Sequence, residues 1–232
     1  MNKAMDEMTL LQQIPLFADL SREHLSPLAA TLRRQVYRKG QIILHQGEPG
    51  DSLFVVVSGQ VRIYTLSPDG YELSVWICEP GDFFGEMALL TGEPRSASAE
   101  AMRRTEVLIL CRQTFHEQLL SNPQAALRII ESLSQRLRRT TESFEELASL
   151  SVLQRIARRL LDLAERYGRQ QEDGVLIDLD LSQEAVASLV GTTRESANRA
   201  LGSLRDQGLV HVDRVRILLT RPEELKKLLA ET

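Results

Sequence analysis

Cysteine is almost missing from this chain: Cys78 and Cys111 are the only two among 232 residues. That excludes a disulfide framework and leaves no clustered thiolates for zinc or an iron–sulfur centre. Both cysteines sit in apolar stretches that read as strands, where a buried, reduced thiol is the ordinary state. Long apolar runs are lacking too, since no stretch of about eighteen apolar residues exists to span a bilayer. Met1 to Leu11 carry acids and amides in place of the basic start and apolar core of an export signal, so a soluble, cytoplasmic chain that engages no membrane is expected. Positive charge is not in excess either. Lys and Arg number 28 against 32 Asp and Glu, a net charge of -4, which excludes a body that coats nucleic acid indiscriminately and makes any DNA binding local. The histidines His24, His45, His116 and His211 are scattered. Haem and metal sites need convergent ligands, so neither a metal nor a catalytic constellation is expected.

What the chain does hold is enough apolar residue, 43% of the total, to build one large core or two small ones. From Gln35 to about Thr114, short β-branched runs alternate with Gly40, Gly47, Gly59, Gly70 and Gly81. The runs are Ile42 to Leu44, Leu53 to Val57, Val61 to Thr65, Leu73 to Ile77 and Val107 to Leu110. Such spacing, with turn signals like Ser67-Pro68-Asp69-Gly70, predicts a compact antiparallel barrel or roll. Leu10 to Arg34 has helical spacing broken at Pro15 and Pro27, which predicts short helices over one end of it.

After Pro123 the pattern becomes one long helix. Ile130, Leu133, Leu137, Thr140, Phe144 and Leu147 step by 3, 4, 3, 4, 3, the a/d seam of a coiled coil. Gln135, Arg136, Arg138, Arg139, Glu142, Glu145 and Glu146 flank it and keep the stripe narrow, which predicts a parallel homodimer. One layer is polar: the Thr140 hydroxyl, with Thr141 beside it, weakens a zipper unless something bonds to it, and a ligand is one such partner. The heptad lapses at Ala148 to Ser151. Val152, Ile156, Leu160 and Leu163 then start a new stripe ending by Gly168, so a hinge is expected between them. Gly168 to Asp180 reads as a polar connection with one short apolar run. Helix, tight turn, helix, two β runs (Leu209 to Val212, Val215 to Leu219) and a closing helix from Pro222 follow, the order of a winged helix-turn-helix.

In that element Gly191 supplies the turn, Thr192 with Glu195 reads as a capping box, and Gly208 closes the second helix. At 100° per residue Ala197, Ala200, Leu201 and Leu204 share one face, and Arg194, Glu195, Asn198, Arg199, Gly202 and Arg205 the other. Arginine bonds guanine bidentately and a carboxylate accepts from the cytosine amino group, each pair giving about 1–3 kcal/mol of discrimination. Thr192, Thr193, Arg194, Glu195, Asn198 and Arg199 stand at or near the start of this second helix, the part that enters a major groove.

Taken together, these motifs resemble the CRP/FNR family of transcription regulators over nearly the whole chain. Arg194-Glu195-x-x-x-Arg199 is similar to the reader of its cyclic-AMP-responsive members. The resemblance implies Arg194 and Arg199 on guanines and Glu195 on the cytosine or adenine edges opposite, in a palindromic TGTGA-type site with half-sites about 10–10.5 bp apart. Phe84-Gly85-Glu86-Met87-Ala88-Leu89 through Pro94-Arg95-Ser96-Ala97 resembles the phosphate-binding cassette of cyclic nucleotide domains, which implies Gly85, Glu86, Met87, Ala88, Arg95 and Ser96 as ligand-binding residues. Its chemistry is readable beside that: a helix start at Gly85 offers amides to an anion, Arg95 a fork of donors and Ser96 a hydroxyl. Glu86 is placed to accept from a ribose hydroxyl, and the alternative is that Glu86 and Arg95 simply pair with each other. Thr140-Thr141 falls where the cyclic-AMP-binding members set two hydroxyls against adenine, one from each subunit, with Thr where their pattern has Ser at the second position.

The resulting expectation is an α+β chain that is not an enzyme. It comprises an N-terminal cyclic-nucleotide-binding β-roll of double-stranded jelly-roll type with flanking helices (1–122), a long dimerisation helix and hinge (123–150) and a C-terminal winged helix-turn-helix domain (151–232). Its effector would be cyclic AMP and its partners double-stranded DNA, a second copy and RNA polymerase, the last met around the Gly168 to Asp173 loop and on the roll. Ligand would shift an existing equilibrium and re-register the helix pair near Ala148. Two alternatives stay open: the same regulator answering to cyclic di-GMP, another metabolite or no ligand, and a cupin-type metal enzyme with a DNA-binding tail, for which only His45 lies within the roll.

Overall fold

The computed structural model describes residues 11, 12, 14, 15, 17, 18 and 22–230. Met1 to Leu10 and the side chains of Arg22, His24, Ser26 and Pro27 lie outside that set. The chain divides into two compact units, Met1–Leu66 with Val75–Arg139, and Ser67–Ser74 with Thr140–Thr232.

In the first unit the unbroken apolar runs at 53–56 and 107–110 belong to strands buried on both faces, so they show no polar alternation. They are β3 (Ser52–Ser58) and β8 (Thr105–Cys111), the centre of a sheet ordered β1-β8-β3-β6 with β1 (Arg33–Tyr37) and β6 (Phe83–Phe84) at its edges. The other sheet, β2-β7-β4-β5, holds β2 (Ile42–Leu44), β4 (Val61–Leu66), β5 (Glu72–Cys78) and β7 (Ser98–Ala101). Phe54, Val56, Val107 and Ile109 turn inward to meet Leu44, Val61, Cys78, Phe84 and Ala99 between the sheets. Leu53, Val55, Leu108 and Leu110 point the other way, against Leu25 and Leu28 of α1 (Arg22–Thr31), Phe115 of α3 (Arg112–Ser121) and Ile129 of α4 (Pro123–Ser149). Each such buried side chain contributes roughly 1.5–3 kcal/mol over an exposed one. The short helix α2 (Glu86–Thr91) follows β6.

Some expectations need correction. Helix α1 runs through Pro27 without breaking there, because its buried leucines hold it on the sheet despite one missing N–H. Cys111 is exposed, because it closes β8 and stands at the N-cap of α3; Cys78 is buried, and burial pushes its thiol pKa up.

In the second unit Ser151 caps α5 (Val152–Tyr167) in a reciprocal box with Gln154, which stops α4 and starts a separate helix. Ile156, Leu160 and Leu163 are buried beneath α6 (Gln183–Val190), α7 (Arg194–Asp206) and α8 (Pro222–Leu228). The supposed polar connection after Gly168 is a hairpin of β9 (Gly168–Gln171) and β10 (Gly174–Ile177). It extends the wing strands β11 (Val210–Asp213) and β12 (Arg216–Leu219) into a sheet ordered β11-β12-β10-β9, so the Gly168 to Asp173 stretch is a strand and its turn.

Candidate functional site

The cassette is built around one buried cation. Gly85 precedes α2 with φ +84°, and a Cβ there would lie 2.7 Å from Arg95 Nη1, so both backbone conformation and space demand glycine. Glu86 and Arg95 are 3% and 7% exposed. They do not pair with each other. Arg95 donates to the carbonyls of Gly85 (2.7 Å) and Ser52 (2.9 Å), beside the ring of Phe54, and makes no ion pair with any described carboxylate. Burial lowers its pKa, opposed by the fields of Asp51 and Glu86. A desolvated guanidinium satisfied only by carbonyl dipoles keeps strong attraction for an anion.

Around it, Ala88 is buried, Met87 and Ser96 are exposed, and Ser96 Oγ donates to Met87 Sδ at 3.3 Å. Two arginines that sequence reasoning left out of the site complete it. Arg112 donates to the carbonyls of Gly50 (2.7 Å), Ala88 (3.0 Å) and Leu89 (3.2 Å), pinning the end of α2 to the loop before β3. Arg136, a seam-flanking residue in the sequence, reaches from α4 to Glu86 (2.9 Å) and donates to the Phe83 carbonyl. No local pattern marks either arginine, since their partners lie 23 or more residues away.

Along α4 the seam residues differ in exposure. Leu133 packs on the core of the first unit, whereas Ile130, Leu137 (69%), Phe144 (72%) and Leu147 are exposed. Thr140 and Thr141 are exposed on the same helix, Thr140 one turn beyond Arg136 on the same face.

In the second unit Gly191, at φ +62°, ends α6 in the left-handed conformation. The cap of α7 differs from the expected one: Thr193, not Thr192, is the N-cap, and its Oγ1 accepts from Ser196 N at 3.2 Å. Thr192 is still engaged by the end of α6, donating its N–H to the Ala187 carbonyl at 3.0 Å. Helix α7 therefore begins at Arg194, with Ala197, Ala200, Leu201 and Leu204 buried and Arg194, Glu195, Arg199 and Arg205 exposed. Arg194 pairs with Glu184 at 2.9 Å, a surface contact of roughly 0–1 kcal/mol that an incoming phosphate or base can displace. Arg199 donates to Ser196 Oγ at 3.2 Å. Asn198 is half-buried, less outward than its helical angle suggested, and its Oδ1 has no hydrogen-bond partner. The wing adds exposed Arg214, at φ 54°, and Arg216, neither singled out from sequence.

No described helix is long and apolar enough to cross a membrane, and the described residues hold no cluster of three or more His, Cys, Asp or Glu side chains placed for a metal ion.

Two family models match: a cyclic nucleotide-binding domain over residues 34–122 and a Crp-like helix-turn-helix domain over residues 154–228. The chain is 30% identical over 223 residues to the CRP-like cAMP-activated global transcriptional regulator of Mycobacterium tuberculosis, covering 96% of this chain and 99% of that protein. It is 33% identical over 198 residues to the cyclic AMP receptor protein of Thermus thermophilus, covering 85% and 88%. Among solved structures, the c-di-GMP responsive global regulator CLP of Xanthomonas campestris superimposes with a TM-score of 0.78 at 28% identity, covering 86% of this chain and 99% of that one.

Proposed function

The chain belongs to the CRP/FNR family of transcription regulators and is not an enzyme, and from that premise we propose that it acts as a cytoplasmic homodimer that binds palindromic TGTGA-like DNA under the control of cyclic AMP. The observation that carries the ligand assignment is the buried Arg95 guanidinium, held by two carbonyls and by no carboxylate. Its remaining donors, with the Ser96 hydroxyl, suit a cyclic phosphate, and Glu86 suits the ribose hydroxyl. Residues 1–122 are the sensor, 123–150 the dimerisation helix and 151–232 the reader. Thr140 and Thr141 supply hydroxyls to the adenine from the paired helices, and the exposed Ile130, Leu137, Phe144 and Leu147, with Leu133, form the seam.

Allostery follows from Arg136. A ribose hydroxyl arriving at Glu86 competes with the guanidinium that ties the cassette to α4, so occupancy changes the free energy of that helix and, through the chain, of the reader. Arg194 and Arg199 contact guanines, Glu195 the opposite edges, and Thr192, Thr193 and Asn198 supporting groups. RNA polymerase is the partner that converts occupancy into transcription.

The test is a gel shift on a palindromic TGTGA duplex with and without cyclic AMP, beside calorimetry on the wild type and Arg95→Leu. Cyclic AMP should tighten the shift, and the variant should lose nucleotide binding while staying dimeric. Unchanged cyclic AMP binding by Arg95→Leu would overturn the cassette assignment. The structural likeness to a c-di-GMP responsive regulator favours cyclic di-GMP as the second reading, and the same titration separates the two.

A further inference from the structure

One residue of the reader works against its own helix. Of the thirteen glycines, Gly202 alone stands inside a described helix, within α7 and four residues before its end at Asp206. Glycine weakens a helix interior relative to alanine, because its bare backbone loses more freedom on ordering. A fold accepts that cost for a left-handed φ, a crowded Cβ position or a helix cap. Gly85 and Gly191 meet such conditions; Gly202 meets none. Its φ is not positive, a Cβ on it would meet nothing else of the described protein within 4 Å, and the C-cap of α7 is Gln207. Its place on the helix is specific. At 100° per residue Gly202 falls about 80° round from Arg194, between Asn198 at about 40° and Glu195 at about 100°, with Arg205 at about 20° and Arg199 at about 140°. That is the middle of the outward arc, opposite the buried Ala197, Ala200, Leu201 and Leu204. A helical side chain leans toward the N-terminus and covers the turn before its own Cα. One at position 202 would lie over the turn that carries Asn198 and Arg199, and glycine leaves that turn bare.

We propose that Gly202 is a positioning residue for DNA: it marks the closest approach of α7 to the duplex, where the sugar–phosphate wall of the major groove takes the space a side chain would fill. This rests on the DNA-binding reading. A helix with its side chains is about 10–12 Å across and the major groove about 12 Å wide, so the helix sinks deep only where the face it turns to the DNA is shallow. Gly202 lies about 4.5 Å further along the axis than Arg199. It is therefore past the helix start, which reads base edges, and in the part that meets the strand beside the groove. A contact with sugar and phosphate carries no sequence information. It sets the depth and tilt at which Arg194 and Arg199 reach their bases.

The experiment takes the full-length protein with cyclic AMP and sets its melting against competitive gel shifts on the palindromic TGTGA duplex and its single-position variants. Gly202→Ala should raise the melting temperature by about 2–4 °C. The same variant should bind the operator about 5- to 20-fold more weakly, and Gly202→Leu about 100-fold more weakly, as overfilled contacts do. The loss should be equal on every operator variant, and the slope of affinity against salt should keep its wild-type value because no charge is removed. A merely structural glycine gives another pairing, in which binding falls together with the melting temperature. Operator affinity unchanged from wild type, a loss confined to one base position, or earlier melting of Gly202→Ala would each overturn the proposal. If Gly202→Ala binds normally while Arg194→Ala loses its base preference, this inference falls and the reader stands; if the wild type binds no duplex, both fall.

Discussion

At the scale of the residue, Gly85 carries two constraints that no side chain can meet together. Its φ of +84° belongs to the left-handed region, and the direction a Cβ would take is occupied by Arg95 Nη1 at 2.7 Å. A left-handed non-glycine residue costs about 1–3 kcal/mol, and the clash is relieved only by moving the guanidinium off its two carbonyls. Gly85→Ala should therefore lower the melting temperature modestly and cut cyclic AMP affinity by more than tenfold, read by calorimetry on the folded variant. A variant that melts early yet binds normally would separate backbone strain from the cassette. The motif around Gly85 and Arg95 was legible in sequence because its members lie within a dozen positions. Arg136 was not: it joins the site only because α4 is brought against the cassette, and nothing local in its segment distinguishes it.

At the scale of the element, the start of α7 decides how firmly the reader is held. Thr193 satisfies a backbone donor at that helix end, and Thr193→Ala should cost about 1 kcal/mol of stability. Its effect on operator binding should be uniform across sequences, since it frays the helix without touching a particular base. Arg194→Ala should instead relax preference at one guanine by about 1–3 kcal/mol. Competitive gel shifts on single-position operator variants distinguish the two, and a uniform loss for Arg194→Ala would count against its base contact. Element by element, most strands with dense apolar runs were readable, β10 (Gly-Val-Leu-Ile) being taken into a polar connection, and the others were not. Strand β1 is Arg-Arg-Gln-Val-Tyr and almost wholly exposed, β7 is Ser-Ala-Glu-Ala with small buried groups, and β9 is Gly-Arg-Gln-Gln and exposed throughout. Each is a strand because a neighbour offers it a ladder of backbone hydrogen bonds, information held in the partner and absent from the segment. The N-cap moved by one residue for a similar reason: the end of α6 already engages Thr192.

At the scale of the whole molecule, the proposed dimer turns on the exposed apolar positions of α4. Leu137 and Phe144 lie seven residues apart in one seam, and each side chain removed from water on pairing adds roughly 1.5–3 kcal/mol. Leu137→Asp and Phe144→Asp should each shift the protein to monomer in sedimentation at micromolar concentration and weaken operator binding, while the separate units keep their melting behaviour. Persistence of a dimer in the double variant would place the interface elsewhere.

The open stripe on α4 also sets how a cell would feel a change in gene copy number. With the proposed two subunits per operator and reversible pairing, active species well below the dimer's dissociation constant rise with the square of the amount synthesised. Halving expression would then cut promoter occupancy toward a quarter, and a modest excess would switch it on steeply even at a fixed level of messenger.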